Sequence, residues 1–434
     1  MHLSGERISL SARAGTALAA DTGFYQRNIE NRMADEHFYL ADEGSALHLL
    51  DKRYRYNLAT YSREFPARLL HTYDYAPEQS WTTYAHDFRE SGYRSEDYIF
   101  GKRCYFRICL KRVDGEAVTE EEAKHINDIL EFLSTARPRL AKIFREEIAK
   151  VAARVNSLAE PSDLKLAILT DTHATVNGIW QDTISNLKAV HEQVKLSAII
   201  HLGDMTDGLV SRELTQENIR NMQREMGSLG IPVHIALGNH DSNYFRKNPD
   251  IMPLHEQAQL YLQREKPYYA IELPAHDLRM VFLSAYDNET VPRYGYDLAQ
   301  IEWLRRLLNE NQQRTLVLSH DAPMAELDPW SQEIRNGRLL MCVLDQCKSE
   351  VLAYIHGHAH ADYIHQWQGK QSFPIISIGC AKCEDMKEHK VEGSETPERV
   401  LGTSTQELWD VLIIRKNSQK LNFVRFGAGH DKEL

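Results

Sequence analysis

From Leu164 onward the chain alternates short, unbroken apolar runs with longer amphipathic stretches. The runs are Leu166 to Leu169, Ala198 to Ile200, Val233 to Leu237, Met280 to Leu283, Leu316 to Leu318 and Leu352 to Ile355. Apolar positions recur at helical spacing across Ile184 to Val194 and Leu298 to Leu308, where Gln300, Trp303 and Leu304 face one way. Apolar runs without alternation predict strands buried on both faces, and their alternation with helices predicts an α/β sheet covered on both sides.

The segment before Gly115 has a different texture. It holds 11 of the 20 tyrosines, and Cys104, Phe106, Ile108 and Leu110 alternate with Tyr105, Arg107, Cys109 and Lys111 before an Asp114-Gly115 turn. That period of two predicts a small, mainly-β N-terminal domain over residues 1–117, a sandwich. Its aromatics, Trp81, Tyr84 and Phe88 among them, suit either a tyrosine-rich core or a stacking surface for sugar rings or bases. Residues 118–160 read as a helical connector. Thr119 is the N-cap, Glu120, Glu121 and Glu122 fill the first turn, and Ile126, Ile129, Leu130 and Leu133 follow at helical spacing. Pro138 interrupts the run, and Leu140, Ile143, Phe144 and Ile148 resume it. Glu160-Pro161-Ser162-Asp163 marks the entry into a domain spanning 161–434.

Bulk properties narrow the function classes. A length of 434 residues favours more than one domain. The net charge of -11, from 62 acidic against 51 basic residues, argues against a general nucleic-acid binder, which needs a basic field. No apolar stretch approaches the roughly 20 residues of a bilayer span. Arg13 and the serines break the alanine-containing N-terminus, so no signal peptide is expected, and Asp431-Lys432-Glu433-Leu434 has the letters of a retention signal in the wrong order. The expected location is the cytoplasm. There the six cysteines are reduced thiols, including Cys380 and Cys383, whose C-x-x-C spacing lacks a second pair.

The chemistry concentrates just beyond the apolar runs. Asp171-Thr172-His173, Gly203-Asp204, Gly238-Asn239-His240-Asp241, Ser319-His320 and Gly357-His358-Ala359-His360 each follow one of them. In open α/β sheets, ligands gather beyond the carboxyl ends of strands, so segments distant in sequence converge. Singly, Asp171, Asp204 or Asn239 reads as a helix cap, and each histidine as a packed side chain. Five such segments in order read as oxygen and imidazole ligands for two adjacent divalent cations. His356 and His365 receive no role, and Asp362 is a candidate acceptor for a ligating imidazole.

This set resembles the calcineurin-like metallophosphoesterase superfamily, whose pattern is D-x-H, G-D, G-N-H-[DE], H and G-H-x-H, across roughly Leu164 to Arg425. The resemblance implies an αββα sandwich of two packed sheets flanked by helices. It implies that Asp171, His173 and His360 hold one metal, that Asn239, His320 and His358 hold the other, and that Asp204 bridges them. Mixed oxygen and imidazole ligands suit Mn, Fe or Zn, with Co and Ni also compatible. The implied activity is hydrolysis of a phosphoester, more specifically a phosphodiester, by a metal-bridging hydroxide. His240 would protonate the leaving group, Asp241 would orient its ring, and Asp207 would support the Asp204 loop. An imidazole suits that role because its ordinary pKa lies near neutrality.

Departures from subfamily patterns shape the substrate expectation. Gly208 stands where phosphoprotein phosphatases of the superfamily carry Arg, and the third motif ends in Asp241 rather than Glu. The long segment before Asp171 and the acidic balance disfavour a nuclease. The alternatives are a phosphomonoesterase or nuclease of the same fold, or a non-catalytic metal-binding scaffold. Arg246 and Lys247, in the loop after the proton donor, are candidate anchors for substrate phosphate.

Overall fold

The computed structural model describes residues 6–18, 25–35, 37, 39–62, 85–87, 93–102, 104–135, 142–174, 179–208, 210–245, 248–310, 312–383, 391–400, 402–416 and 418–434. The chain divides into two compact units, Met1–Pro138 and Arg139–Leu434. Among the described residues no helix is long and apolar enough to cross a membrane.

The first unit is β-rich, as the alternation predicts. Its longest strand, Cys104–Arg112, pairs antiparallel with Tyr54–Ser62. A second sheet contains Glu6–Ile8, Leu130–Ser134, Ala46–Leu49 and Tyr98–Ile99. The two sheets share one core, to which Phe106, Ile108 and Leu110 come from the first and Leu47, Leu130 and Phe132 from the second. Phe106 lies at the centre, its ring 4.8 Å from both Phe100 and Phe132. Tyr39, Tyr54 and Tyr56 are buried in the same core. Trp81, Tyr84 and Phe88 lie outside the described residues.

The predicted connector differs from the observed chain. Thr119 does cap the helix Glu120–Lys124, through a capping box with Glu122. A short helix Ile126–Ile129 follows, but Leu130–Ser134 is a strand, paired antiparallel with Ala46–Leu49 and Glu6–Ile8. The spacing of Ile126, Ile129, Leu130 and Leu133 fits a helix. Leu130, Phe132 and Ser134 also alternate with half-buried Glu131 and Leu133, and packing of Phe132 against Phe106 decides for the strand. The helix Arg145–Leu158 instead packs within the second unit, through Ile148, Val151 and Val155.

The second unit is the αββα sandwich that the resemblance implies. One six-stranded sheet runs in the order Val233–Ile235, Ala198–His201, Leu164–Leu169, Leu408–Ile414, Leu421–Gly427, Lys432–Glu433. The other runs Tyr269–Leu273, Leu278–Phe282, Arg314–Leu318, Glu350–His356, Ser372–Ile378, Asp362–Gln368. Leu166 and Ile168 point into the layer between the sheets, with Met280, Leu318, Ile355 and Ile376 opposite. Ala167 and Leu169 point the other way, onto the helices Trp180–Val194 and Arg212–Gly227. The helices Leu298–Glu310 and Gly337–Gln346 cover the far face of the second sheet. Apolar residues on both faces of Leu164–Leu169 explain why that run showed no alternation.

A buried ionic clamp joins the two sheets. Arg425 donates to Asp410 at 2.8 and 3.0 Å and to Asp362 at 2.8 and 3.0 Å, and Lys432 Nζ donates to Asp362 at 2.8 Å. Burial alone would raise the Asp362 carboxyl, but the charges of Arg425 and Lys432 hold it well below the usual range. Asp362 is thereby committed to the clamp, which corrects the expectation that it supports a ligating imidazole. Removing the guanidinium leaves two buried carboxylates without their main counter-charge. Arg425→Met should therefore lose about 3–5 kcal/mol of unfolding free energy in chemical denaturation. A loss below about 1 kcal/mol would show that the clamp is not a structural necessity.

Candidate metal centre

Parallel pairing brings the functional segments to one edge. Leu164–Leu169, Ala198–His201 and Val233–Ile235 run parallel, so Asp171, Asp204 and Asn239 follow three adjacent strand ends. On the facing sheet Arg314–Leu318 and Glu350–His356 are also parallel neighbours, and His320, His358 and His360 follow their ends.

The backbone at these positions is forced into an unusual shape. Asp171, His173, Asp204, His358 and His360 have φ of 52°, 41°, 54°, 61° and 53°, a left-handed region that side-chain-bearing residues rarely occupy. Each such residue costs on the order of 1–3 kcal/mol and persists only where its surroundings over-determine it. Here cross-links between loops do so. Asp171 N–H donates to Gly203 O at 3.0 Å, His173 N–H to Asp204 O at 3.1 Å, and Gly357 N–H to His320 O at 2.9 Å. His358 N–H donates to Asp171 Oδ2 at 3.0 Å.

The side chains close on two carboxylate oxygens. Asp171 Oδ1 lies 3.0 Å from His360 Nε2, 3.8 Å from His320 Nε2 and 3.9 Å from His173 Nε2. Asp204 Oδ2 lies 3.1 Å from His320 Nε2, 3.9 Å from His173 Nε2 and 4.0 Å from His240 Nε2. Asn239 Oδ1 is 3.2 Å from His320 Nε2. Potential ligand atoms group as Asp171, His173 and His360, as His173, Asp204 and His240, and as Asp204, His320 and His358, each set within 4.8 Å. Asp171, His173 and His320 are 0% exposed, whereas Asn239, His240, His358 and His360 reach 5–8%. The first three form a floor and the latter four a mouth.

These residues fit a pair of cations. Asp204 Oδ2 is buried, makes no hydrogen bond among the described residues and is ringed by imidazole nitrogens. Burial, then the charges of His240 and Lys382, hold His173 well below the ordinary imidazole range, in the neutral form a metal requires. Burial also disfavours the charged forms of Asp171 and His320. Their mutual attraction, with Asp204 beside His320 and His360 beside Asp171, reverses that and favours both charges. Opposite charges thus compensate one another where divalent cations would otherwise do so.

Two supporting roles differ from expectation. Asp241 does not orient the His240 ring. Its carboxylate accepts the backbone N–H groups of Asp204, Met205 and Gly238 at 2.9, 3.0 and 2.8 Å, and so fixes both loops that carry Asp204 and Asn239. The His240 ring is held by Asp207, whose carbonyl accepts from Nδ1 at 2.6 Å. His356 is a satisfied core histidine, bonded to Gly357 O and Tyr363 OH at 2.8 Å each. Arg246 and Lys247 lie outside the described residues. His201, which the sequence did not single out, accepts Gly203 N–H on Nδ1 at 3.2 Å and braces the Gly203-Asp204 turn. Arg293 contacts the segment that follows His240. Its guanidinium lies 4.3 Å from the Tyr244 ring and donates to Tyr244 OH at 3.2 Å. None of the six cysteines is in a disulfide, and Cys380 Sγ donates to Asp171 O at 3.3 Å.

Comparison with known proteins gives one family match and several distant structural likenesses. Residues 164–362 match the family model described as calcineurin-like phosphoesterase. That family binds a dinuclear metal centre, and the match to it implies phosphoester hydrolase chemistry. Among solved structures, a dimetal phosphatase from Danio rerio is 14% identical, covers 62% of this chain and 98% of its own, and has a TM-score of 0.44. GAP50 of Plasmodium, described as the anchor in the inner membrane complex, is 14% identical over 63% of this chain and 88% of its own, with a TM-score of 0.40. A phosphatase from Mycoplasma pneumoniae is 11% identical over 62% and 95%, with a TM-score of 0.33. Likeness at this level says nothing of substrate. No curated protein matches the chain.

Close approach of the loops explains one of the motif glycines. A Cβ at Gly357 would overlap Thr170 Oγ1 and come within 2.6 Å of Asp171 Oδ2. Gly357→Ala should therefore push Asp171 aside and lower bound metal per chain at least several-fold in elemental analysis, with circular dichroism unchanged. Metal content equal to wild type would show that the loops have room to spare.

Proposed function

We propose that this chain hydrolyses a phosphodiester at a dinuclear site in which Asp171, His173 and His360 hold one cation and Asn239, His320 and His358 the other, with Asp204 shared. The observation that carries this reading is the convergence of both ligand sets on Asp204 Oδ2. Bound there, two divalent cations would lower the pKa of a shared water and neutralise charge on the phosphoryl oxygens. The ligand chemistry suits Mn, Fe or Zn, and also Co or Ni.

His240 acts as the proton donor. Because Nδ1 is committed to the Asp207 carbonyl, a proton transferred to the leaving oxygen must come from Nε2, the nitrogen facing Asp204. Phe245 at 4.3 Å and His173 at 4.7 Å between ring centres hold the imidazole in place. Asp241 contributes through the backbone it organises. Arg293, Arg246 and Lys247 are the cations proposed to steer substrate phosphate. An acid-rich site favours the single charge of a diester over the double charge of a monoester, since Asp171, Asp204, Asp321 and Asp328 all lie buried around it. The net charge of -11 supports a small-molecule rather than a nucleic-acid substrate. The six cysteines, none of them in a disulfide, support a reducing, cytoplasmic setting.

Manganese-loaded protein should hydrolyse an aryl phosphodiester faster than the matching monoester. His240→Gln should lower kcat about 10²–10⁴-fold for an alkyl leaving group, and much less for p-nitrophenolate, which needs no proton. Bound metal should stay unchanged. Equal loss for both leaving groups would remove His240 from the role of acid. No turnover in wild type with any of the five metals would return the chain to a metal-binding scaffold.

A further inference from the structure

Beside the Asp204 cluster lies a second convergence that the mechanism does not use. Asp321 directly follows His320, and Asp328 follows the short helix Ala325–Leu327. Oδ1 of each lies 3.6 Å from His358 Nε2, and the three ligand atoms lie within 4.8 Å of one another. Asp321 is 0% exposed, His358 5% and Asp328 7%. Among the described residues, His358 Nε2, both oxygens of Asp321 and Oδ2 of Asp328 have no hydrogen-bond partner. Asp328 Oδ1 accepts the N–H groups of Trp330 at 2.8 Å and Ser331 at 3.2 Å.

Two ionised carboxylates buried side by side cost several kcal/mol unless a proton or a cation neutralises them. Pairing with the imidazole does not meet that cost, because 3.6 Å exceeds the roughly 2.7–3.2 Å of an N–H···O bond. The same distance fits the edge between two donors on one tetrahedral cation, with metal–ligand bonds of about 2.0–2.2 Å. The imidazole is fixed in that direction. Trp330 Nε1 donates to His358 O at 2.9 Å, and the Tyr294 ring packs on the imidazole at 5.2 Å.

We propose that Asp321, Asp328 and His358 hold a further divalent cation beside the dinuclear pair. Two carboxylates and one imidazole suit Mn2+ or Zn2+ and leave a position for water or a substrate oxygen. The inference rests on the proposed pair through His358, which belongs to both groups.

The test is equilibrium dialysis of the full-length protein against Mn2+ alone, with metal counted per chain. Wild type should hold three ions. Asp328→Asn should hold two, because the amide keeps its oxygen for Trp330 and Ser331 while losing the charge. Should that variant misfold, Asp321→Asn gives the same comparison. Two ions in wild type and two in the variant would overturn the third site and leave the pair standing. Three in both would overturn the assignment to these residues. Fewer than two in wild type would overturn the pair itself, and this inference with it.

Discussion

One oxygen atom organises the site. Asp204 Oδ2 lies within 4.0 Å of nitrogens from His173, His240 and His320, which come from three separate strand ends on two facing sheets. Nothing local to any of those segments would place them together. The parallel pairing of Leu164–Leu169 with Ala198–His201 and of Arg314–Leu318 with Glu350–His356 does so. The sheets face each other across a dry layer of Leu166, Ile168, Leu318 and Ile355. The apolar interior thus sets the positions, and the polar residues one step past each strand inherit them.

That inheritance requires strain. Five of the seven proposed ligands hold left-handed backbone, and a loop left to itself would relax out of it. Amide-to-carbonyl bonds between neighbouring loops hold these shapes, together with the Asp241 carboxylate, which gathers amides from both the Asp204 and Asn239 loops. The Arg425 clamp plays the corresponding part between the sheets, with Asp362 two residues beyond His360. A site prepared in this way keeps its ligands aimed before any ion arrives, so little binding energy goes into arranging them.

Much of this was legible in the sequence because the informative signals were local. Each candidate ligand sits directly after an apolar run, and both the residue types and the strand ends are readable from a few neighbouring positions. The runs alone pointed to one α/β sheet covered on both faces, and the two-sheet sandwich came only from the family resemblance; Leu408–Ile414 and Leu421–Gly427, which complete the first sheet, were not singled out. Legibility failed where tertiary contact decides. Leu130 and Leu133 carry helical spacing, but Phe132 and its aromatic neighbours select a strand. Asp241 was read as the partner of an adjacent ring, yet its carboxylate reaches amides 36 and 37 residues away. Asp321 and Asp328 meet His358 only through folding, although the Ser319-His320-Asp321 run held a trace of the first.

The central claim is that two cations share Asp204. Anomalous diffraction from crystals soaked in Mn2+ tests it most directly. The account predicts two strong peaks about 3.5–4 Å apart, one beside Asp171, His173 and His360, the other beside Asn239 and His320, with Asp204 between them. A single peak, or a pair that leaves Asp204 unligated, would contradict it.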